Sequence, residues 1–147
     1  MQITRQTEYA IRTALELSTV PFGEFIQTKA ISERHNIPEV FLKKTIQLLS
    51  RAGLVTTQRG SQGGVRLARP SDKITLADIL VAIEGPLALN VCLAENYQCH
   101  NLPNCRVHQI MKRAQKSLLR ELSEETLSDI AGDAPIKEYT RECDAVN

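Results

Sequence analysis

The chain has 147 residues, 42% of them hydrophobic and 24% charged, and a formal net charge of +1. That length and balance fit one domain, or one domain with an oligomerisation element, and exclude a fibrous or disordered chain. No window approaches the roughly eighteen apolar residues of a membrane span, and the start Met-Gln-Ile-Thr-Arg-Gln-Thr-Glu has no apolar leader core, so no membrane association is expected. The expected compartment is the cytoplasm of a bacterial-type cell, where thiols stay reduced.

Taken in order, residues 7–20 read as a helix. Tyr9, Ala10, Thr13, Ala14 and Leu17 recur at spacings of three and four, and Pro21 and Gly23 stop the pattern. Phe25 to Arg34 reads as a second, shorter helix with Ile26, Ala30 and Ile31 inward. His35-Asn36-Ile37-Pro38 is a turn, and Pro38 suits the start of a third helix, Glu39 to Ala52, capped by Gly53. Leu42, Ile46 and Leu49 form its apolar stripe, leaving Lys43, Lys44, Gln47 and Arg51 outward. Leu54 to Gln58 and Val65 to Ala68 read as strands of a hairpin around a glycine-rich turn. Thr75 caps a helix over Leu76 to Glu84, with Ile79, Leu80 and Ile83 buried, and Gly85-Pro86 ends it.

Helix, turn, helix and a Gly-rich hairpin form the order of a winged helix-turn-helix, in which the second helix of the pair enters the major groove. Charge distribution agrees: nine Lys or Arg fall between Lys29 and Lys73 against Glu33, Glu39 and Asp72, with His35 adding to them if protonated, while the acidic excess lies in Glu121 to Asp133. The expected base readers are Lys43, Lys44 and Gln47, with Pro38, Glu39 and Phe41 at the leading end. Arg59 at the hairpin tip suits the minor groove, and Thr28, Lys29 and Arg51 suit phosphates. The Gly60–Gly64 turn lacks a Gly-Lys-Ser/Thr ending, so no nucleotide cofactor is expected. Nor do the residues offer paired catalytic carboxylates or a nucleophile with its base, and an enzyme is not expected.

Three of the four cysteines, Cys92, Cys99 and Cys105, fall in one polar loop. A loop that gathers thiols is poor core material and good metal-wrapping material, because thiolates select zinc, cuprous copper or iron–sulfur clusters. Gaps of six and five residues are wider than the knuckles typical of zinc and suit a larger cluster. Structural zinc with three cysteines and a histidine, redox-active thiols and inert thiols are the competing assignments. From Val107 to Ile130 runs the longest helical pattern, with Ser123-Glu124-Glu125 as a candidate break and Thr126 to Ile130 as a separate short turn. Its apolar stripe exceeds what a small domain can cover, so it is expected to pair with its copy in a homodimer, the alternative being a fold-back onto its own domain. The expected organisation is mainly α with a small β-hairpin wing: a winged helix-turn-helix domain over 1–84, a cysteine loop over 85–106, a dimerisation helix over 107–131 and a polar, mobile tail over 132–147 that carries Cys143 as a bystander.

Thr7-Glu8-Tyr9-Ala10-Ile11-Arg12, Ile31-Ser32-Glu33-Arg34, Ala52-Gly53-Leu54-Val55 with Arg59-Gly60 and Gly63-Gly64, and the three-cysteine loop together resemble the bacterial IscR/NsrR family of winged-helix regulators. The resemblance covers roughly residues 1–131. It implies a homodimer on a palindromic operator in double-stranded DNA, whose affinity is controlled by an iron–sulfur cluster sensing cluster status, iron, nitric oxide or redox state. Some cysteine-poor members of the fold sense a metabolite or partner protein instead. Cys92, Cys99 and Cys105 match the cluster thiolates. His108 matches the histidine that completes a [2Fe-2S] site in the assembly regulator, and Glu8 matches the carboxylate that a partner subunit gives a [4Fe-4S] cluster in the nitric-oxide sensor; His100 is a reserve ligand. Two departures stand out. The first cysteine gap is six rather than five, which leaves the cluster type open. Lys43 replaces a glutamate that selects between operator types, which leaves the DNA sequence open. The alternatives to a cluster switch are a zinc- or thiol-redox-responsive regulator and a non-DNA interaction module of cysteine or cluster metabolism.

Overall fold

The computed structural model describes residues 3–102 and 104–133. Thr4 opens the first helix: its backbone is extended and its hydroxyl accepts from the Thr7 amide at 3.4 Å, satisfying a donor that a helix start leaves free. Helix α1 (Arg5–Ser18) buries Ala10, Ala14, Leu15 and Leu17. Helix α2 (Thr28–His35) ends at Asn36, whose φ of 50° lies in the left-handed region that asparagine tolerates, and Ile37 then drops into the core. Helix α3 (Glu39–Arg51) turns Leu42, Thr45, Ile46 and Leu49 inward.

The helix expected from Phe25 begins only at Thr28, and the wing is the reason. Strands β1 (Val55–Gln58) and β2 (Gly64–Leu67) pair antiparallel with Val55 opposite Leu67 and Gln58 opposite Gly64. The Ile26 amide donates to the Val65 carbonyl and the Val65 amide to the Ile26 carbonyl, both at 2.9 Å. A residue whose two backbone groups are committed to a strand cannot also open a helix. This close approach needs Gly64, because a Cβ there would lie 2.2 Å from the Ile26 carbonyl oxygen at a φ of +139°.

Helix α4 (Leu76–Glu84) starts with the expected Thr75 cap, completed by the Asp78 carboxylate that accepts from the Thr75 amide at 2.9 Å. Ile79 and Leu80 are buried and Ile83 is half-buried. The single pattern seen in the sequence over 107–130 is divided into α5 (Arg106–Glu124) and α6 (Leu127–Asp133), with Glu125 extended between them. Thr126 and Asp129 cap the second piece, the Asp129 carboxylate accepting from the Thr126 amide at 2.8 Å. Leu127 donates its amide to the Ile74 carbonyl at 2.8 Å and its side chain is fully buried. Helix α6 therefore folds back on its own domain, whereas α5 buries none of its residues.

The architecture is mainly helical with one two-stranded wing, the class read from the sequence. Its core of Ile31, Ile37, Leu42, Leu49, Ile74, Ile79 and Leu127 lies between α1, α3, α4, α6 and the wing. Among the described residues no helix is long and apolar enough to cross a membrane. Cys143 and residues 134–147 lie outside the described residues.

Candidate nucleic-acid interface and cysteine loop

Burial of one stripe of α3 decides what the opposite face can do. Leu42, Thr45, Ile46 and Leu49 are spent on the core, and Val40, Lys44, Gln47 and Arg51 recur at i, i+4, i+7 and i+11 on the exposed side. Pro38, Glu39, Phe41 and Lys43 are exposed beside them, Lys43 standing 3.6 Å from Glu39 one turn back. Thr28 is half-buried in the first position of α2, and exposed Lys29 lies 3.9 Å from Glu33. Arg59 is exposed in the turn between β1 and β2. Among the described residues Lys44, Arg51 and Arg59 make no ion pair, so their charges remain available to an external anion. Gln27 donates its side-chain amide to the Ser61 carbonyl at 3.0 Å and so ties the approach to α2 to the wing turn.

Three basic residues counted in the sequence have structural duties instead. Arg66 lies 4.6 Å over the Phe25 ring and donates to the Gly23 carbonyl at 3.1 Å. His35 is buried, its Nε2 3.0 Å from Glu16 Oε2, and Arg34 pairs with the other oxygen of the same carboxylate. The hydrogen bond to His35 holds the Glu16 carboxyl below its ordinary pKa, with the Arg34 charge adding to it and burial opposing it. This trio joins α1 to α2 and presents little free charge to solvent.

The cysteine loop is built differently. Cys92 sits in a single 3-10 turn (Val91–Leu93), Cys99 in irregular chain, and Cys105 at the N-cap of α5, where its Sγ accepts from the His108 amide at 3.4 Å. All three thiols are unbridged and half-buried. His108 Nδ1 is buried with no hydrogen-bond partner among the described residues, whereas His100 is exposed. Glu8, half-buried on α1, is ion-paired with Arg12 one turn on. Among the described residues no three His, Cys, Asp or Glu side chains converge enough to hold a metal ion. The structure thus joins Cys105 to His108 and brings no third expected ligand to that pair.

Two polar residues that the sequence did not single out fix the ends of this loop. Glu84 accepts from the Thr4 amide at 3.2 Å and from the Thr7 hydroxyl, linking the end of α4 to the start of α1 near Glu8. Those threonine hydrogen bonds lower the Glu84 pKa, the Thr4 hydroxyl most. Gln115 of α5 accepts from the Leu89 amide at 3.0 Å. Between these anchors opens a cleft of about 640 Å³, lined by Val81, Pro86, Leu87, Leu93, Gln115 and Leu119 among others. Single polar residues on amphipathic helices look like solvated faces, so no sequence signal marks either.

With this geometry in view, comparison with known proteins is informative. A family model described as Rrf2, iron-dependent transcriptional regulator, matches residues 3–133. Among solved structures, the chain is similar to CymR (YrzC), the global cysteine regulator of B. subtilis, with 26% identity over 92% of this chain and 99% of that one and a TM-score of 0.74. It is similar too to T. potens IscR, with 28% identity over 92% of this chain and 89% of that one and a TM-score of 0.70.

Proposed function

Because the chain belongs to the Rrf2 family of iron-dependent transcriptional regulators, we propose that it is a homodimeric DNA-binding regulator whose operator affinity is set by an iron–sulfur cluster held by Cys92, Cys99 and Cys105. One observation carries this: three unbridged thiols share a loop that ends at the N-cap of α5, the helix that buries nothing of its own. The donors fit the group. Thiolates are the ligands iron–sulfur clusters require, and the unpartnered His108 Nδ1 close to Cys105 favours that histidine as fourth ligand over Glu8, which Arg12 engages. Metal binding and the ordering of a ligand loop are coupled, so Cys92 and Cys99 would join Cys105 as the group binds.

When bound, the cluster supplies a centre whose occupancy or redox state depends on iron, oxygen or nitric oxide. The protein's own part is to convert loop geometry into dimer geometry. Drawing Cys92 and Cys99 toward Cys105 shifts the segment held by Glu84 at one end and Gln115 at the other, and with it the angle between α4 and α5. Paired α5 helices then hold two α3 helices at a spacing that suits or misses a palindromic operator. A bias of about 3 kcal/mol between two dimer geometries changes affinity roughly a hundred-fold. At the DNA, Lys43, Lys44 and Gln47 face bases, with Pro38, Glu39 and Phe41 at the leading end; Arg59 enters the minor groove, and Thr28, Lys29 and Arg51 hold phosphates.

Purification without oxygen, followed by an absorption spectrum and iron and sulfide assays, tests this. The expected protein is coloured, each of Cys92→Ala, Cys99→Ala and Cys105→Ala bleaches it, and His108→Ala alters the spectrum more than Glu8→Ala. Iron-free, colourless protein that binds its operator and responds to a chelator or an oxidant would replace the cluster with zinc or thiol chemistry. Unchanged operator affinity in Arg59→Ala would remove the wing from DNA contact.

A further inference from the structure

We infer that Val40, flanked by Phe41, reads the 5-methyl groups of thymine in each operator half-site, which rests on the DNA-binding reading above and adds the base chemistry it selects. Val40 is the second residue of α3 and is 71% exposed; Phe41 follows at 53%. Isolated exposed apolar residues are common and need no explanation, but these two have a particular place. Helical spacing centres Val40 on the stripe that also carries Lys44, Gln47 and Arg51, directly opposite the buried Leu42, Thr45, Ile46 and Leu49.

The fold gives Val40 no reason to be there. It adds nothing to the core, and a β-branched residue is a worse helix former than the Lys, Gln or Glu an exposed position would otherwise take. Phe41 beside it leaves over half its surface in solvent, while its carbonyl accepts from the Thr45 hydroxyl at 2.9 Å. What such a pair can meet follows from the neighbours on its face. Lys44 and Arg51 make no ion pair among the described residues and carry positive charge suited to phosphates and to guanine acceptors, so the surface that covers this stripe is polyanionic. The major groove presents few apolar groups, and the one that protrudes from a base edge is the thymine methyl. A branched side chain at the leading end of the helix, followed one turn later by a lysine and two turns later by a glutamine, therefore predicts thymine beneath Val40, with guanine or adenine further along the half-site.

The test removes only the methyl. A duplex selected by the protein from a random pool is remade with each thymine in turn replaced by deoxyuridine, and affinity is measured by fluorescence anisotropy for the wild type and for Val40→Ala. Losing one buried methyl is worth about four-fold in affinity, so one thymine position in each half-site should show a drop of that size, and substitution of both half-sites about fifteen-fold. Val40→Ala should bind the thymine duplex about four-fold more weakly per half-site and lose the penalty for uracil at that position alone. Val40 is 71% exposed and lies outside the core, so the thermal melt of the variant serves as its folding control and should match the wild type. Equal affinity for thymine and uracil duplexes at every position overturns the inference, as does an undiminished uracil penalty in Val40→Ala. The DNA-binding reading itself fails differently: no duplex is selected, and no salt-dependent binding is seen for either protein.

Discussion

The N-terminal helices and α5 are all amphipathic, yet they are differently housed. In residues 5–84 every helix lays its apolar stripe against another element, and Ile31, Leu42, Leu49 and Ile79 are fully buried. Among the described residues of 86–124 none is buried, and Val107 and Ile110 on α5 remain 56% and 53% exposed. Hydrophobic pattern alone thus says that a stripe will be covered and not what covers it. For α1 to α4 the cover is intramolecular and supplies the folding free energy of the domain. Helix α5 keeps only half-buried contacts, with α4 and the Val91–Leu93 turn, and is therefore held less firmly than α1 to α4.

Core truncation is the most forceful way to expose this division. Leu42→Ala removes a side chain buried between α1 and α3 and should cost about 3 kcal/mol by urea denaturation, with the loss concentrated in the N-terminal unit. A loss below about 1 kcal/mol would mean that the unit is far more loosely packed than its burial indicates. Gly64→Ala comes next. Its Cβ would meet the Ile26 carbonyl at 2.2 Å, so the bridge between the wing and the chain before α2 must open, at about 2 kcal/mol. Hydrogen exchange at the Ile26 and Val65 amides should quicken in this variant while exchange in α4 does not.

Electrostatics sharpens the contrast, because the buried Glu16–His35 pair, with Arg34 on the same carboxylate, ties α1 to α2 within the N-terminal unit. Glu16→Ala leaves His35 buried without its partner and should cost about 2 kcal/mol. The pH dependence has a fixed sign. Since the folded Glu16 carboxyl is held below its ordinary value, chiefly by the His35 hydrogen bond, its contribution is present above the unfolded pKa of about 4.3 and is lost as pH falls through the folded value. Wild-type stability should therefore decline below roughly pH 4.3, and in Glu16→Gln that component of the decline should be missing. A parallel acid decline in both proteins would assign acid sensitivity to other carboxylates.

Much of this organisation is legible in the sequence, and the misses share a cause. The spacing of Leu42, Ile46 and Leu49, the Gly53 stop, the Gly-rich hairpin and the Thr75 cap are local signals, and each element stands where they put it. Phe25 to Gln27 look helical by composition, and only the long-range pairing of Ile26 with Val65 takes them out of the helix. The separation of α6 from α5 is half legible: Ser123-Glu124-Glu125 marks the break, but the docking of Leu127 on Ile74 depends on the tertiary fold. His35 is the sharpest case. A histidine in a basic stretch reads as a surface cation, and the buried Glu16 that claims it is 19 residues away in the chain. In the cysteine loop the thiols are legible as residues, while spacing along an irregular chain does not set their mutual geometry.

The mildest substitution for folding is the most telling for the comparison. Ile110 lies on α5 with over half its surface in solvent in the single chain, so Ile110→Ser should change the unfolding free energy of the N-terminal unit by no more than about 0.5 kcal/mol. If α5 pairs with its copy, the same change removes apolar area from the seam twice, once per protomer, because a two-fold interface repeats every contact. At about 25 cal/mol per Å² of apolar area, loss of two isoleucine contacts weakens association by about 3 kcal/mol, or roughly a hundred-fold. Sedimentation at micromolar concentration should then show monomer for Ile110→Ser and dimer for the wild type, with nearly coincident monomer unfolding curves. A variant that stays dimeric would move the pairing seam off Ile110, and one that unfolds the N-terminal unit as Leu42→Ala does would erase the distinction between the two regions.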